Sequence, residues 1–223
     1  MEFARQVWAI AWKDIIVEGR SRQIVLPVLV FAVLVLVIFN FALSPSSSDI
    51  PQLAPGVLWV SFTFAGVLSV NRSFVLENEQ GSILGLMLSP LSREALFTGK
   101  MLSNFIFIAA VELVTVPVFS VLFNQELFPP MLLVVMFLAT AGFSAVGSIF
   151  AALAINTRFR EIMLPLLMFP VVVPVIISAV KATEIILTSA PAGDMTKWLE
   201  MLVAFDLVFL LLAAIAFEYV IEE

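Results

Sequence analysis

Residues 23–43 read QIVLPVLVFAVLVLVIFNFAL, and this stretch decides the fold class. It carries no charge and is about as long as the roughly 20 residues a helix needs to cross a bilayer. The apolar core of a cleavable signal peptide is shorter, about 7–15 residues, so the run reads as a retained span. Further apolar runs follow at 53–75, ended by Arg72, at 96–123, interrupted by Lys100 and Glu112, at 130–156 and 162–180, and at 198–221, which carries Glu200 and Asp206. Backbone groups in lipid must be satisfied internally, which allows only helices or closed barrels. Barrel strands alternate polar and apolar residues, and these runs do not. The sequence therefore predicts an all-α integral membrane protein with six transmembrane helices.

Composition agrees. The chain has 223 residues, 62% hydrophobic and 13% charged, with a mean hydropathy of +1.13. Soluble domains carry about 45–50% apolar and about 25% charged residues. Six spans use most of the chain, so one transmembrane domain over 1–223 is expected, with no soluble catalytic domain. Cysteine and histidine are both absent. That removes thiolate nucleophiles, Cys/His zinc sites, His-ligated haem and a Ser-His-Asp triad. A net charge of −6 with no basic aromatic patch argues against nucleic acid.

An intramembrane enzyme is the weakest alternative. Gly142-Phe143-Ser144-Ala145-Val146 only approaches a nucleophile elbow, and Lys100, the conceivable dyad base, should lie at the membrane edge. No catalytic residue and no metal ligand set is expected. Thr98-Gly99-Lys100-Met101 lacks the remainder of a phosphate-binding loop, so no nucleotide site of that kind is expected in this chain. Without histidine, axial haem ligation would fall to Met101, Met136, Met163 or Met168, and methionine on a membrane helix is ordinarily packing. No cofactor is expected on strong ligands in this chain.

Orientation follows from Lys and Arg. Arg5, Lys13, Arg20 and Arg22 precede span one; Arg72, Arg93 and Lys100 flank the loop after span two; Arg158 and Arg160 follow span four. The loops after spans one and three hold none, and only Lys181 and Lys197 flank the loop after span five. The positive-inside rule then puts both termini in the cytoplasm. Residues 1–22 read as an amphipathic interfacial helix, with Val7, Trp8, Ala11, Trp12, Ile15 and Ile16 on one face and Glu2, Gln6 and Lys13 opposite. A plain cytoplasmic extension of span one is the other reading.

Residues 77–93 begin with Glu77 and Glu79, turn apolar through Gly81, Ser82, Ile83, Leu86, Met87 and Leu88, and stop at Ser89 and Pro90. Acids suit a helix N-terminus and proline ends a helix, so a short cytoplasmic helix between spans two and three is expected. Its apolar residues fit a docking surface for a soluble partner; an interfacial or re-entrant helix fits them too.

Two intramembrane acids, Glu112 in span three and Asp206 in span six, each cost at least about 2.5–3.5 kcal/mol if ionised at the bilayer centre. Each reads either as a latch or partner contact, or as a protonated acid satisfied locally. Asn104 lies two turns before Glu112 and can share its face. Ala141, Ala145, Ser148 and Ala152, beside Gly142 and Gly147, form a small-residue stripe that reads as close helix packing, with a dimer seam or a substrate path as the other readings. Pro165, Pro170 and Pro174 are expected to kink or break span five, as a moving helix or a static kink.

The amphipathic start, six spans and short cytoplasmic helix resemble type-2 exporter (ABC-2-type) permeases of ABC transporters. Ala54-Pro55-Gly56-Val57-Leu58-Trp59-Val60, then Asn71-Arg72-Ser73-Phe74, Gly81-Ser82 and Leu88-Ser89-Pro90-Leu91 narrow this, as does the proline-rich fifth span. Together they resemble the cytochrome c maturation protein B family (CcmB, haem exporter protein B). The resemblance implies a non-catalytic permease in a bacterial or archaeal plasma (inner) membrane. It implies a separate CcmA-like ATPase docked on 77–93, CcmC-like and CcmD-like membrane proteins, a periplasmic CcmE-like haem chaperone and a self-dimer. ATP would act on the partner, and haem would be the pathway cargo. A permease of the same plan exporting a drug, lipid or glycan is the alternative.

Overall fold

The computed structural model describes residues 2–43, 50–79, 92–125, 129–154, 160–188 and 195–220. Among these residues every regular element is an α-helix: α1 (Glu2–Ser21), α2 (Val25–Leu43), α3 (Ile50–Glu79), α4 (Arg93–Phe123), α5 (Pro130–Ala154), α6 (Arg160–Thr188) and α7 (Met195–Val220). Five stretches are long and apolar enough to cross a membrane: Val25–Leu43, Ile50–Ser73, Glu94–Phe123, Pro130–Leu153 and Ile162–Thr188. They lie in α2 to α6. The final helix, α7, has 26 residues and carries Lys197, Glu200 and Asp206 in its first half.

The helices outrun the apolar stretches that nucleate them. Ser92 caps α4 by accepting from the Ala95 amide at 3.3 Å, and Asn124 ends it in the left-handed region at φ 50°. Helix α3 continues through Glu79, so Glu77 and Glu79 lie at its C-terminal end and do not open a separate helix. No proline or glycine between Val75 and Glu79 stops it. The remaining residues of the expected docking helix, Gly81 to Pro90, lie outside the described residues. Helix α6 reaches Thr188, eight residues past the apolar run, and Lys181 pairs there with Glu184 at 2.8 Å.

Helix α6 also runs unbroken through Pro165, Pro170 and Pro174, which corrects the expectation of a break. Leu164, Met168, Val172, Val175 and Ala179 form one buried stripe along it. Packing of that stripe holds the helix where each proline removes one hydrogen bond.

Helix α5 is central, packing against α3, α4, α6 and α7. The sequence explains why. In lipid no hydrophobic drive pulls helices together, so small residues set how closely they approach. A Cβ at Gly142 would meet the Asp206 carboxylate and, at 3.1 Å, the Phe205 ring of α7. At Gly147 it would meet Val70 of α3 at 3.0 Å and Met168 of α6 at 3.3 Å. Ala145 and Ser148 of the small-residue stripe are fully buried.

The first helix packs on α4, with Val7, Ile10, Ala11 and Asp14 buried, while Glu18 turns to the start of α2. Gly99 permits this approach, since a Cβ there would lie 2.8 Å from Ile10. The single apolar face expected for α1 is therefore divided. Trp8 and Trp12 stack with centroids 6.0 Å apart on an exposed flank, because Asp14 turns inward with Val7 and Ala11.

Gly142→Ala should destabilise the chain by about 1–3 kcal/mol, the usual cost of overpacking. Gly56, with nothing within 4 Å of its Cβ direction, should accept alanine with no loss of stability. Thermal unfolding of the two variants in one detergent checks the contrast.

Candidate functional site

The polar residues singled out from sequence converge on α5. Asn104 and Glu112 of α4 share a face, as their spacing predicts. The Asn104 amide donates to the Ser148 hydroxyl at 3.0 Å. The Thr140 hydroxyl lies 2.8 and 2.9 Å from the two Glu112 carboxylate oxygens and donates to one at a time. From the other side, Asp206 of α7 packs against Gly142. All three are buried. Asn104 Oδ1 and Asp206 Oδ1 have no hydrogen-bond partner among the described residues. The space beside Glu112, bordered by Trp59, Thr63, Thr140, Phe143 and Val175, is about 10 Å³. That is about one water probe, so Glu112 sits in closely packed surroundings.

The sequence block around Trp59 joins α3 to α6. Ala54 and Pro55 are buried, Gly56 is half-buried, and the Trp59 indole N–H donates to the Thr183 hydroxyl at 2.9 Å. The Thr183 hydroxyl in turn donates to the Ala179 carbonyl at 2.7 Å. Arg72, near the far end of α3, is exposed. Met136 and Met168 are buried among aliphatic and aromatic neighbours, so they serve the core. Among the described residues no three acidic side chains come together as a metal site.

One cluster was not foreseen. Lys100, expected at the membrane edge, is only 5% exposed within the protein, and its ammonium donates to Asp14 Oδ2 at 2.7 Å. Ser103 Oγ lies 2.9 Å from the same oxygen, and Lys13 holds Oδ1 at 2.9 Å. The signal was present in the sequence: Asp14 follows Val7 and Ala11 at helical spacing, and Lys100 is the one charge near the start of span three. Neither position alone names its partner. Burial pushes the Asp14 carboxyl up, but the Lys100 and Lys13 charges outweigh it and hold it below its ordinary value of 3.8.

Apolar helices of spanning length, packed through glycines and buried polar contacts, define a polytopic α-helical membrane protein. The family profile described as "CcmB protein" matches residues 5–223, and the chain belongs to that family. It is 30% identical to "Heme exporter protein B" of Pseudomonas aeruginosa over 180 residues, 80% of this chain and 81% of the relative. It is 30% identical to the protein of that name from Paracoccus denitrificans over 190 residues, 84% and 85% of the two chains. With the Rhodobacter capsulatus protein of that name it shares 32% identity over 150 residues, 67% of this chain and 69% of the relative.

A carboxyl depressed on folding adds stability above its unfolded value and loses it as pH falls through the folded value. Wild-type stability should therefore hold above about pH 5 and decline below about pH 4, whereas Asp14→Asn should start lower and lack that acid-dependent component. Lys100→Met, which leaves the buried carboxylate with only Lys13 and Ser103, should cost up to about 3–5 kcal/mol, and adding Asp14→Leu should recover most of it. Denaturation in detergent across that pH range reads both effects. Thr140→Val, which leaves Glu112 unpartnered, should cost about 1–3 kcal/mol by the same measurement.

Proposed function

We propose that this chain is the permease subunit of an ATP-driven complex that serves haem export in cytochrome c maturation. The observation that carries the reading is the family match across residues 5–223, on a bundle of apolar helices. In the same reading α7 is a sixth span, since its described apolar surface (Leu207, Val208, Leu211) is exposed. Both termini then face the cytoplasm, in line with the basic residues of the loops.

The chain itself carries no complete phosphate-binding loop. ATP is therefore hydrolysed on a CcmA-like partner that docks on residues 77–93, through Ile83, Leu86, Met87 and Leu88. Haem is the pathway cargo, handled with CcmC-like and CcmD-like membrane proteins and a CcmE-like periplasmic chaperone. Two copies of the permease face each other in the complex. The permease converts the partner's nucleotide cycle into motion of the bundle and performs no covalent chemistry.

Affinity purification from native membranes in mild detergent, with mass spectrometry, tests this directly. An ABC ATPase and haem-handling membrane proteins should co-purify. Met87→Asp should remove the ATPase and leave the membrane partners. Recovery of an ATPase with no haem-handling protein would point to another cargo. Recovery of no ATPase, under conditions that preserve a known ABC complex, would defeat the reading.

A further inference from the structure

The junction of α1 and α2 holds a feature that the bundle itself does not require. Helix α1 ends where the Arg22 amide donates to the Glu18 carbonyl at 2.8 Å, with Arg22 in the left-handed region at φ 52°. That conformation is unfavourable for an L side chain and is usually given to glycine or asparagine. Arginine is thus kept at a position where its backbone is strained, and strain of this kind points to a role for the side chain.

Arg22 lines a cleft of about 420 Å³ between α1, α2 and α4. The cleft continues along α2 past Leu26 and Leu29 and is walled by Ile15, Phe107 and Ala110. Apart from Arg22 and Glu18 the side chains of its lining are apolar. Glu18, the acid in the lining, directs Oε1 at the start of α2, accepting from the Ile24 and Val25 amides at 2.9 and 2.7 Å. Its charge is spent on the positive end of that helix. Among the described residues no carboxylate pairs with Arg22, and the neighbouring Arg20 is exposed as well.

We infer that the cleft binds an anionic glycerophospholipid of the cytoplasmic leaflet, with its phosphate on Arg22 and one acyl chain along Leu26, Leu29 and Phe107. Charge complementarity selects this occupant. An acyl chain fits the apolar walls, a phosphate fits a guanidinium that pairs with no carboxylate among the described residues, and anionic lipid is concentrated in that leaflet. The leaflet assignment rests on the orientation given under Proposed function.

Native mass spectrometry of the purified full chain, titrated with phosphatidylglycerol or phosphatidylcholine of identical acyl chains, tests the site. The wild type should retain one phosphatidylglycerol in clear preference to phosphatidylcholine. Arg22→Gly relaxes the backbone, so it should unfold no earlier than wild type yet bind phosphatidylglycerol about tenfold or more weakly. Gly19 lines the cleft with open space at its Cβ direction, so Gly19→Leu should block the acyl chain with Arg22 retained. Equal binding of the two lipids by wild type, or undiminished phosphatidylglycerol on Arg22→Gly, would overturn the proposal. A Gln23→Cys probe in this cysteine-free chain separates the two readings. Labelling by an impermeant thiol reagent from outside the cell would overturn the orientation and the leaflet, whatever the lipid titration shows. Protection from outside together with lost lipid selectivity would overturn the lipid site alone.

Discussion

Helices in lipid gain nothing from hiding apolar surface from their surroundings, because lipid is as apolar as leucine. What holds this bundle together must therefore be close packing and interhelical hydrogen bonds. Both are on display. Gly66 lies against the Phe143 ring, Gly142 against Asp206, and Gly147 between Val70 and Met168. Hydrogen bonds run from Ser61 to the Ala32 carbonyl, from Asn40 to the Leu122 carbonyl, and from Trp59 to Thr183. Each ties a different pair of helices. The large apolar side chains that dominate the composition do the opposite job: Leu34, Phe41, Val121, Phe137 and Leu211 all face outward.

The same constraint explains the first helix. Its tryptophans alone would let it adsorb to a membrane surface, yet its inner face carries a carboxylate. A buried charge persists only with a partner and further hydrogen bonds. Lys100 and Ser103 supply them at the start of α4, and Gly99 lets the two backbones approach. Glu18, one turn on, holds the first amides of α2. Two acids on one face of α1 thus fix it to two different spans. The amphipathic helix is part of the bundle's wall, and the cleft that Arg22 lines exists because of that attachment.

Much of this was legible in the sequence. Apolar runs of bilayer length announced the helices, and the 3.6-residue period put Asn104 and Glu112 on one face. The small residues of α5 announced close packing. What could not be read was pairing. Nothing local says that Asp14 meets Lys100, 86 positions away, or that Glu112 meets Thr140. The division of the α1 face was hidden for the same reason, because an acid counts as outward until its partner is known. The prolines left two readings open, a kink or a break, and the sequence registers three lost hydrogen bonds in α6 but not the buried stripe packed along an unbroken helix. The family motif was legible as a pattern, and its physical content, a tryptophan hydrogen-bonded across to α6, was not.

The placement of α7 binds these strands together, since Asp206 and Phe205 bring it against α5 while its described apolar side faces outward. The most direct test is the side of the membrane on which the chain ends. A single cysteine at Glu223, in this natively cysteine-free protein, can be probed with an impermeant thiol reagent in intact cells and in inverted vesicles. A six-span bundle with its start in the cytoplasm requires labelling in inverted vesicles only. Labelling in intact cells would contradict it and would mean that α7 does not complete the bundle as a sixth span.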